Sequence, residues 1–203
     1  MNYSIVVIGA SLGGLRALRT LLRGLPKEFP LPVAIVQHRD KNSNEPLSPY
    51  LQGYSDLEVI EVSDKDKIVS GRVYIAPTDY HLMIEDGYFS LSTDALVWYS
   101  RPSIDVLFES VAFACGSKTI GILLTGANQD GAKGMREIKR HDGLTIAQDP
   151  ETAECGVMPK SAISLGVVDK VMPLEAISEF LVEICCNNKM QSNHGDQKYG
   201  RCI

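Results

Sequence analysis

The sequence predicts an α/β fold: a doubly wound, mostly parallel β-sheet flanked by helices, with a β-hairpin near one edge. Three observations lead there. Short apolar runs, such as VVIG at 6–9 and PVAIVQ at 32–37, lack polar alternation, as strands covered on both faces do. Amphipathic stretches of helical period lie between such runs, and a strand–helix–strand succession builds open parallel sheets. The chain has 203 residues, enough to bury one sizeable core.

Each element has its own signal. Ser4 to Ile8 and Pro32 to Gln37 read as central strands. Between them Leu15, Leu18, Leu21, Leu22 and Leu25 recur at helical spacing, Arg16, Arg19 and Arg23 take the opposite side, and Gly24 and Pro26 end the helix. Val73 to Ala76 is a further strand, and HLMIEDGYFSLS, turning at Asp86-Gly87, is a hairpin expected to cap the sheet. Ser103 can N-cap a helix with Ile104, Leu107, Phe108, Val111 and Cys115 inward, and Ile120 to Leu124 follows as a buried strand. Asp130 is expected to start the next helix, with Ala132, Met135 and Ile138 inward and Lys133, Arg136 and Arg140 outward. Leu144 to Gln148 is a strand. PLEAISEFLVEIC is a surface helix with Leu174, Ile177, Leu181 and Ile184 on one face and Glu175, Glu179 and Glu183 on the other. Residues 1–186 thus form one domain, and the aperiodic polar residues 187–203 are expected to be a flexible tail.

Composition excludes several classes. With 44% apolar residues, 22% charged residues and a net charge of -5, neither disorder nor a polyanion-binding surface is indicated, so no nucleic acid partner is expected. No apolar run reaches the roughly 18 to 20 residues that span a bilayer, and the N-terminus has no cleavable leader pattern. A cytoplasmic location without direct membrane insertion is the expectation. The cysteines are Cys115, Cys155, Cys185, Cys186 and Cys202, an odd set without metal-type or disulfide-framework spacing. Adjacent Cys185 and Cys186 read as a core and a surface position near a helix end. Cys155 has no neighbour in sequence that would lower its pKa, which makes it a weak nucleophile candidate.

In an open parallel sheet the loops at the strands' carboxyl ends gather at one rim, where ligands bind. That rule brings together Ser11, after the first strand, His38, at the end of the second, and Asp130, after the Ile120 strand. These are a nucleophile, a base and an orienting carboxylate. Ser11 lies in G-A-S-L-G, which fits a G-x-S-x-G nucleophile turn. The same glycines could instead cradle a phosphate, although Ser11 stands where a dinucleotide fingerprint needs its middle glycine and no Walker-type lysine follows. His38 alone would suit a strand-end histidine bonded to backbone, and Asp130 alone a helix cap. Among the other histidines, His81 could line the mouth of the cleft, His141 lies near a helix C-terminus, and His194 is in the tail.

Over residues 3 to 186 the sequence resembles the catalytic domain of the chemotaxis protein-glutamate methylesterases, the CheB type. VIGASLGG is similar to that family's serine loop, VQHR to its Q-H strand end, and RPSIDVLFES to its R-P-S-x-D helix start; YIAPTDYHL, LLTGANQDGAKGM, TIAQD and MPKSAI continue the series in order. The resemblance implies Ser11 as nucleophile, His38 as general base and then acid, and Asp130 as orienting carboxylate. It implies hydrolysis of glutamyl γ-methyl esters on a methyl-accepting chemoreceptor, glutamine deamidation in some members, and no metal or organic cofactor.

Departures from the family pattern accompany these matches. Leu12 replaces a threonine whose hydroxyl could help hold the histidine, and Ala127-Asn128 replaces Met-Gly in a T-G-M-G segment. Asn128 is expected to keep the turn by adopting positive φ. The backbone N–H groups of Leu12 and Ala127 remain oxyanion candidates, because that role needs no particular side chain. Val157 replaces the glycine of G-M-P and is expected to alter a nearby turn. The resemblance also leads one to expect a receiver domain, which this sequence does not show ahead of its first strand; a receiver-domain protein acting in trans is one possible partner. The altered loops support a competing expectation, a non-catalytic relative that binds a receptor or signalling partner through the same cleft. A nucleotide-binding module is third.

Overall fold

The computed structural model describes residues 3–40, 43 and 45–186. The tail at 187–203, with His194 and Cys202, lies outside the described residues. Strands β1 (Ile5–Ala10), β2 (Val33–Gln37), β3 (Glu58–Glu61), β4 (Arg72–Ile75), β5 (His81–Glu85), β6 (Tyr88–Ser92), β7 (Thr119–Leu123), β8 (Leu144–Gln148) and β9 (Lys170–Met172) alternate with helices α1 (Gly14–Arg23), α2 (Ser48–Gln52), α3 (Ile104–Cys115), α4 (Ala132–Arg140), α5 (Val157–Ser164) and α6 (Leu174–Cys186). Seven strands form one sheet in the order β3-β4-β2-β1-β7-β8-β9, with every neighbouring pair parallel.

The unalternating apolar strands follow from cover on both sides. All six residues of β1 are buried. Ile5 and Val7 enter a core shared with Leu107 and Phe108 of α3 and Met135 and Ile138 of α4, whereas Val6, Ile8 and Ala10 meet Leu18 and Leu21 of α1 and Ile177 of α6. At about 25 cal/mol per Å² of apolar surface, these two cores are the main stabilising contribution to the fold. They also explain where the chain must open. β1 leads into α1 on one face, while its neighbour β7 leads into α4 on the other. The chain thus switches winding between β1 and β7, and at the sheet's carboxyl rim the loops after β1 and β2, with Glu154, border an open cleft.

Several expectations need correction. Leu15 is 37% exposed; the inward face of α1 is made by Ala17, Leu18, Leu21 and Leu22. Helix α4 begins at Ala132 with Gly131 as its N-cap, so Asp130 precedes the helix and does not cap it. The hairpin turns at Asp86-Gly87 with both φ angles positive, as its two-residue loop requires, but it does not cap the main sheet. It forms a separate two-stranded ribbon whose Leu82, Ile84 and Phe89 join the core on the α3 side, with the Phe89 ring 4.7 Å from that of Tyr74 on β4. Edge strands β3 and β9 carry only four and three residues, too short for a clear alternation. Helix α5 was hidden by Pro159, a breaker in mid-helix that is tolerated here because it falls in the first turn. Among the described residues, no helix is long and apolar enough to cross a membrane.

Candidate active site

Ser11 is the first residue beyond β1, and its backbone is held from three sides. Its N–H donates to the Thr125 carbonyl at 3.0 Å, and its own carbonyl accepts from Gly14 N at 2.8 Å and from Gln37 Nε2 at 2.9 Å. The left-handed residue of the turn is Gly13, at φ 79°, rather than the serine. A Cβ on Gly13 would fall 2.6 Å from Glu154 Cβ, and one on Gly14 would fall 2.0 Å from Gln37 Oε1. The glycines are thus required by a sharp turn and by close approach of neighbouring side chains. This separates the loop from an α/β-hydrolase elbow, in which the nucleophile itself carries the strain.

His38 is the first residue beyond β2. Ala10 pairs with Gln37 in the sheet, and His38 N–H donates to the Ala10 carbonyl at 3.0 Å. Ser11 and His38 therefore leave adjacent parallel strands side by side, a strand spacing of about 4.8 Å apart. Both line a cleft of about 630 Å³, which Leu12, Gly13, Arg16, Arg19 and Glu154 also border. The Ser11 hydroxyl and the His38 ring make no hydrogen bond with each other in this structure.

Asp130 arrives from the loop after β7, and its Oδ2 lies 2.8 Å from His38 Nε2. The His38 side chain is 10% exposed and that of Asp130 is fully buried. Four donors converge on this carboxylate: His38 and Ile104 N–H (2.7 Å) at Oδ2, and Asp105 N–H and Ser103 Oγ–H (both 2.9 Å) at Oδ1. Burial alone would raise the Asp130 pKa, but the His38 bond and charge and the backbone donors outweigh it and hold the carboxyl below its ordinary value of 3.8. An ionised acceptor at Nε2 fixes the proton there in the neutral ring, which leaves the lone pair on Nδ1.

The carboxylate does not cap its own helix. Its acceptors serve the first residues of α3, and Asp105 returns the service: its Oδ1 accepts from Gly131 N–H at 2.9 Å and Gly134 N–H at 2.7 Å at the start of α4. Each helix N-terminus, where backbone donors are unpaired and the dipole is positive, thus receives an acid from the other. Trp98 Nε1–H also donates to Asp105, at 3.0 Å. Burial, joined by the nearby Asp130 charge, raises the Asp105 pKa despite these bonds. Gln37 was not foreseen as a site residue, yet its Nε2 bridges the carbonyls of Ser11 and His38, both at 2.9 Å. Thr125 was missed too: its Oγ1–H donates to the Leu12 carbonyl at 2.8 Å, while Gln148 Oε1 accepts from Thr125 N–H at 2.9 Å. The signal open to a sequence reader was an uncharged polar residue closing an apolar strand, as in AIVQ and TIAQ.

Residues 6–181 match the family model described as CheB methylesterase. The chain belongs to the CheB methylesterase family. It is 46% identical over 192 residues to a Leptospira interrogans protein named "Putative protein-glutamate methylesterase/protein-glutamine glutaminase", covering 94% of this chain and 100% of that one. An Anaeromyxobacter dehalogenans protein named "Protein-glutamate methylesterase/protein-glutamine glutaminase 2" is 44% identical over 180 residues, covering 89% of this chain but 53% of its own length. The crystal structure of the Thermotoga maritima CheB methylesterase catalytic domain superposes with a TM-score of 0.86 at 39% identity, covering 91% of this chain and 100% of that one.

Against this family the departures have definite places. Leu12, 55% exposed, stands at the cleft. Its N–H and that of Ala127 make no hydrogen bond within the protein among the described residues. Gly126 packs against the serine, since a Cβ there would lie 3.0 Å from Ser11 Cβ. Asn128 does not take positive φ, contrary to expectation; its Oδ1 accepts from Asp130 N–H at 3.1 Å and closes a side-chain turn instead. Val157, 46% exposed, is the first residue of α5, whose N-cap is Gly156. His81 is not at the cleft mouth: it is 2% exposed, bonded through Nε2 to the Ala95 carbonyl at 3.1 Å and through Nδ1 to Ser103 N–H at 3.2 Å. His141 follows the last turn of α4, with Nδ1 2.9 Å from the Glu137 carbonyl. Cys155 is half-buried beside Thr125. Cys185 and Cys186 are both half-buried rather than one in and one out, and burial pushes the Cys185 thiol up to about 12.

Proposed function

We propose that this chain is a serine-dependent protein-glutamate methylesterase that hydrolyses glutamyl γ-methyl esters of methyl-accepting chemoreceptors and also deamidates glutamine. Ser11 Oγ attacks the ester carbonyl carbon while His38 Nδ1 takes its proton, a rotation about the serine Cα–Cβ bond bringing the two groups together as substrate binds. The carbonyl oxygen, now carrying the negative charge, is met by the N–H groups of Leu12 and Ala127 and by the N-terminus of α1. Collapse of the tetrahedral adduct breaks the carbonyl–methoxy bond; protonated His38 delivers its proton to the departing oxygen, and methanol leaves. Water attacks the acyl-serine with His38 again as base, and the glutamate and Ser11 hydroxyl are restored. With glutamine the leaving group is ammonia. Asp130 stays ionised throughout and holds the ring by Nε2. Family membership supports the substrate class.

The single observation that carries the mechanism is the His38–Asp130 bond at 2.8 Å, formed beside Ser11 at the rim of one cleft. Purified protein should release methanol from methylated receptor, and Ser11→Ala should abolish nearly all of it; retained turnover would discard the mechanism. The competing reading, a non-catalytic binder, rests on the side chains of Leu12 and Ala127, but the proposed donors are backbone groups that both residues keep. A receiver-domain protein acting in trans is proposed as a regulator. Turnover measured with and without candidate receivers tests it, and unchanged rates throughout would remove it.

A further inference from the structure

On the outer side of α1, Arg16, Arg19 and Arg23 fall within an arc of about 60° and span roughly 10 Å along the axis. The first two border the cleft that holds Ser11. In a protein of net charge -5, other arginines sit beside carboxylates: Arg39 lies 3.7 Å from Glu61, Arg72 2.8 Å from Glu58, and Arg101 2.7 Å from Asp79. Arg16, Arg19 and Arg23 have no carboxylate partner among the described residues. The guanidinium groups of Arg19 and Arg23 both lie over the Tyr54 ring, at 4.3 and 4.7 Å from its centroid. Arg19 Nη1 also donates to Tyr50 Oη at 3.3 Å, and its Nε is buried without a hydrogen-bond partner. Two like charges stacked on one aromatic ring repel each other and are held without a counter-ion, an arrangement that an incoming anion relieves.

We infer that this arginine face is a docking surface for acidic residues of the same polypeptide that carries the scissile methyl ester. The inference rests on the esterase reading for its occupant. The arginines start in the first turn of α1, whose N-terminus adjoins Ser11, and run away from it for two further turns. Carboxylates spaced along the substrate from the reacting side chain would therefore meet them in succession. The planar fork of arginine suits bidentate pairing with carboxylate, and Arg beside Tyr is a pairing enriched at recognition surfaces.

The test uses two peptides with one γ-methyl glutamate each, flanked by glutamates in one and by glutamines in the other. Binding is measured by fluorescence anisotropy on Ser11→Ala protein, and kcat/KM on the wild type. The expected preference for the glutamate-flanked peptide is about 10-fold at low salt, shrinking as ionic strength rises. In Arg16→Gln/Arg19→Gln protein the preference falls to about 1. Equal binding of the two peptides by Ser11→Ala protein with equal wild-type kcat/KM, or a preference that survives the double substitution, overturns the docking surface. A folding defect in the double variant does not rescue the idea, because the ratios measured with the arginines intact can refute it. The esterase reading fails separately: selective binding with neither peptide hydrolysed would remove the esterase and leave the acidic docking surface standing.

Discussion

Replacing Asp130 by asparagine tests the centre of the polar network. The carboxylate receives four donors on two oxygens and is itself fully buried. An asparagine offers one oxygen and one NH2, so whichever way it turns, an amide donor faces a buried N–H: that of Ile104 at the Oδ2 position or that of Asp105 at Oδ1. The second orientation is the less costly, because the Ser103 hydroxyl can rotate and accept. It leaves one orphaned backbone donor and exchanges charge-assisted bonds for neutral ones, a loss of about 3 kcal/mol. For a chain of this length that corresponds to a fall in Tm of about 6 to 12 °C. The His38 ring keeps an acceptor at Nε2 but loses the negative charge that stabilises its protonated form, and by analogy with other serine triads kcat should fall by up to about 10⁴-fold. Thermal unfolding by circular dichroism and methanol release from methylated receptor measure the two losses. A folded variant with turnover within about tenfold of wild type would refute the orienting role, and an unchanged Tm would refute the network.

Three other outcomes are expected. Because the Asp130 pKa is depressed, its contribution to stability is complete above its ordinary value of 3.8 and disappears as pH falls through the lower folded value. The stability gap between wild type and Asp130→Asn should therefore narrow below about pH 4 in denaturant titrations, and a constant gap would contradict the depressed value. Gln37→Met removes both bridging donors from the carbonyls of Ser11 and His38. It should lower kcat by about 10- to 100-fold for a stability loss of about 1 to 3 kcal/mol, and normal kcat would show that Gln37 does not position the pair. Gly13→Ala forces a side chain into a left-handed site and against Glu154; a loss of about 1 to 3 kcal/mol in chemical denaturation is expected, and none would mean that the turn is slack.

The sheet was legible because burial on both faces leaves its mark as uninterrupted apolar runs, and β1, β2, β7 and β8 carry that mark. Edge strands β3 and β9 do not, since one side of each meets solvent. Ser11, His38 and Asp130 could be gathered at one rim from strand order alone, because the carboxyl ends of parallel strands must lie together. What the sequence could not reveal was which helix each acid serves. A local reading makes Asp130 the cap of the helix that follows it, and the exchange between Asp105 and Asp130 becomes visible only when the two helix N-termini are brought together in space. The bridges made by Gln37 and Thr125 were hidden for the same reason: their partners are distant carbonyls, which carry no side-chain signature.

The most direct test of the proposed chemistry is covalent capture of the nucleophile. A serine-directed phosphonate, followed by peptide mapping with mass spectrometry, should place one adduct on Ser11 in the wild type and almost none in His38→Ala protein. An adduct on another residue, or equal labelling of Ser11 without His38, would contradict a serine activated by this histidine.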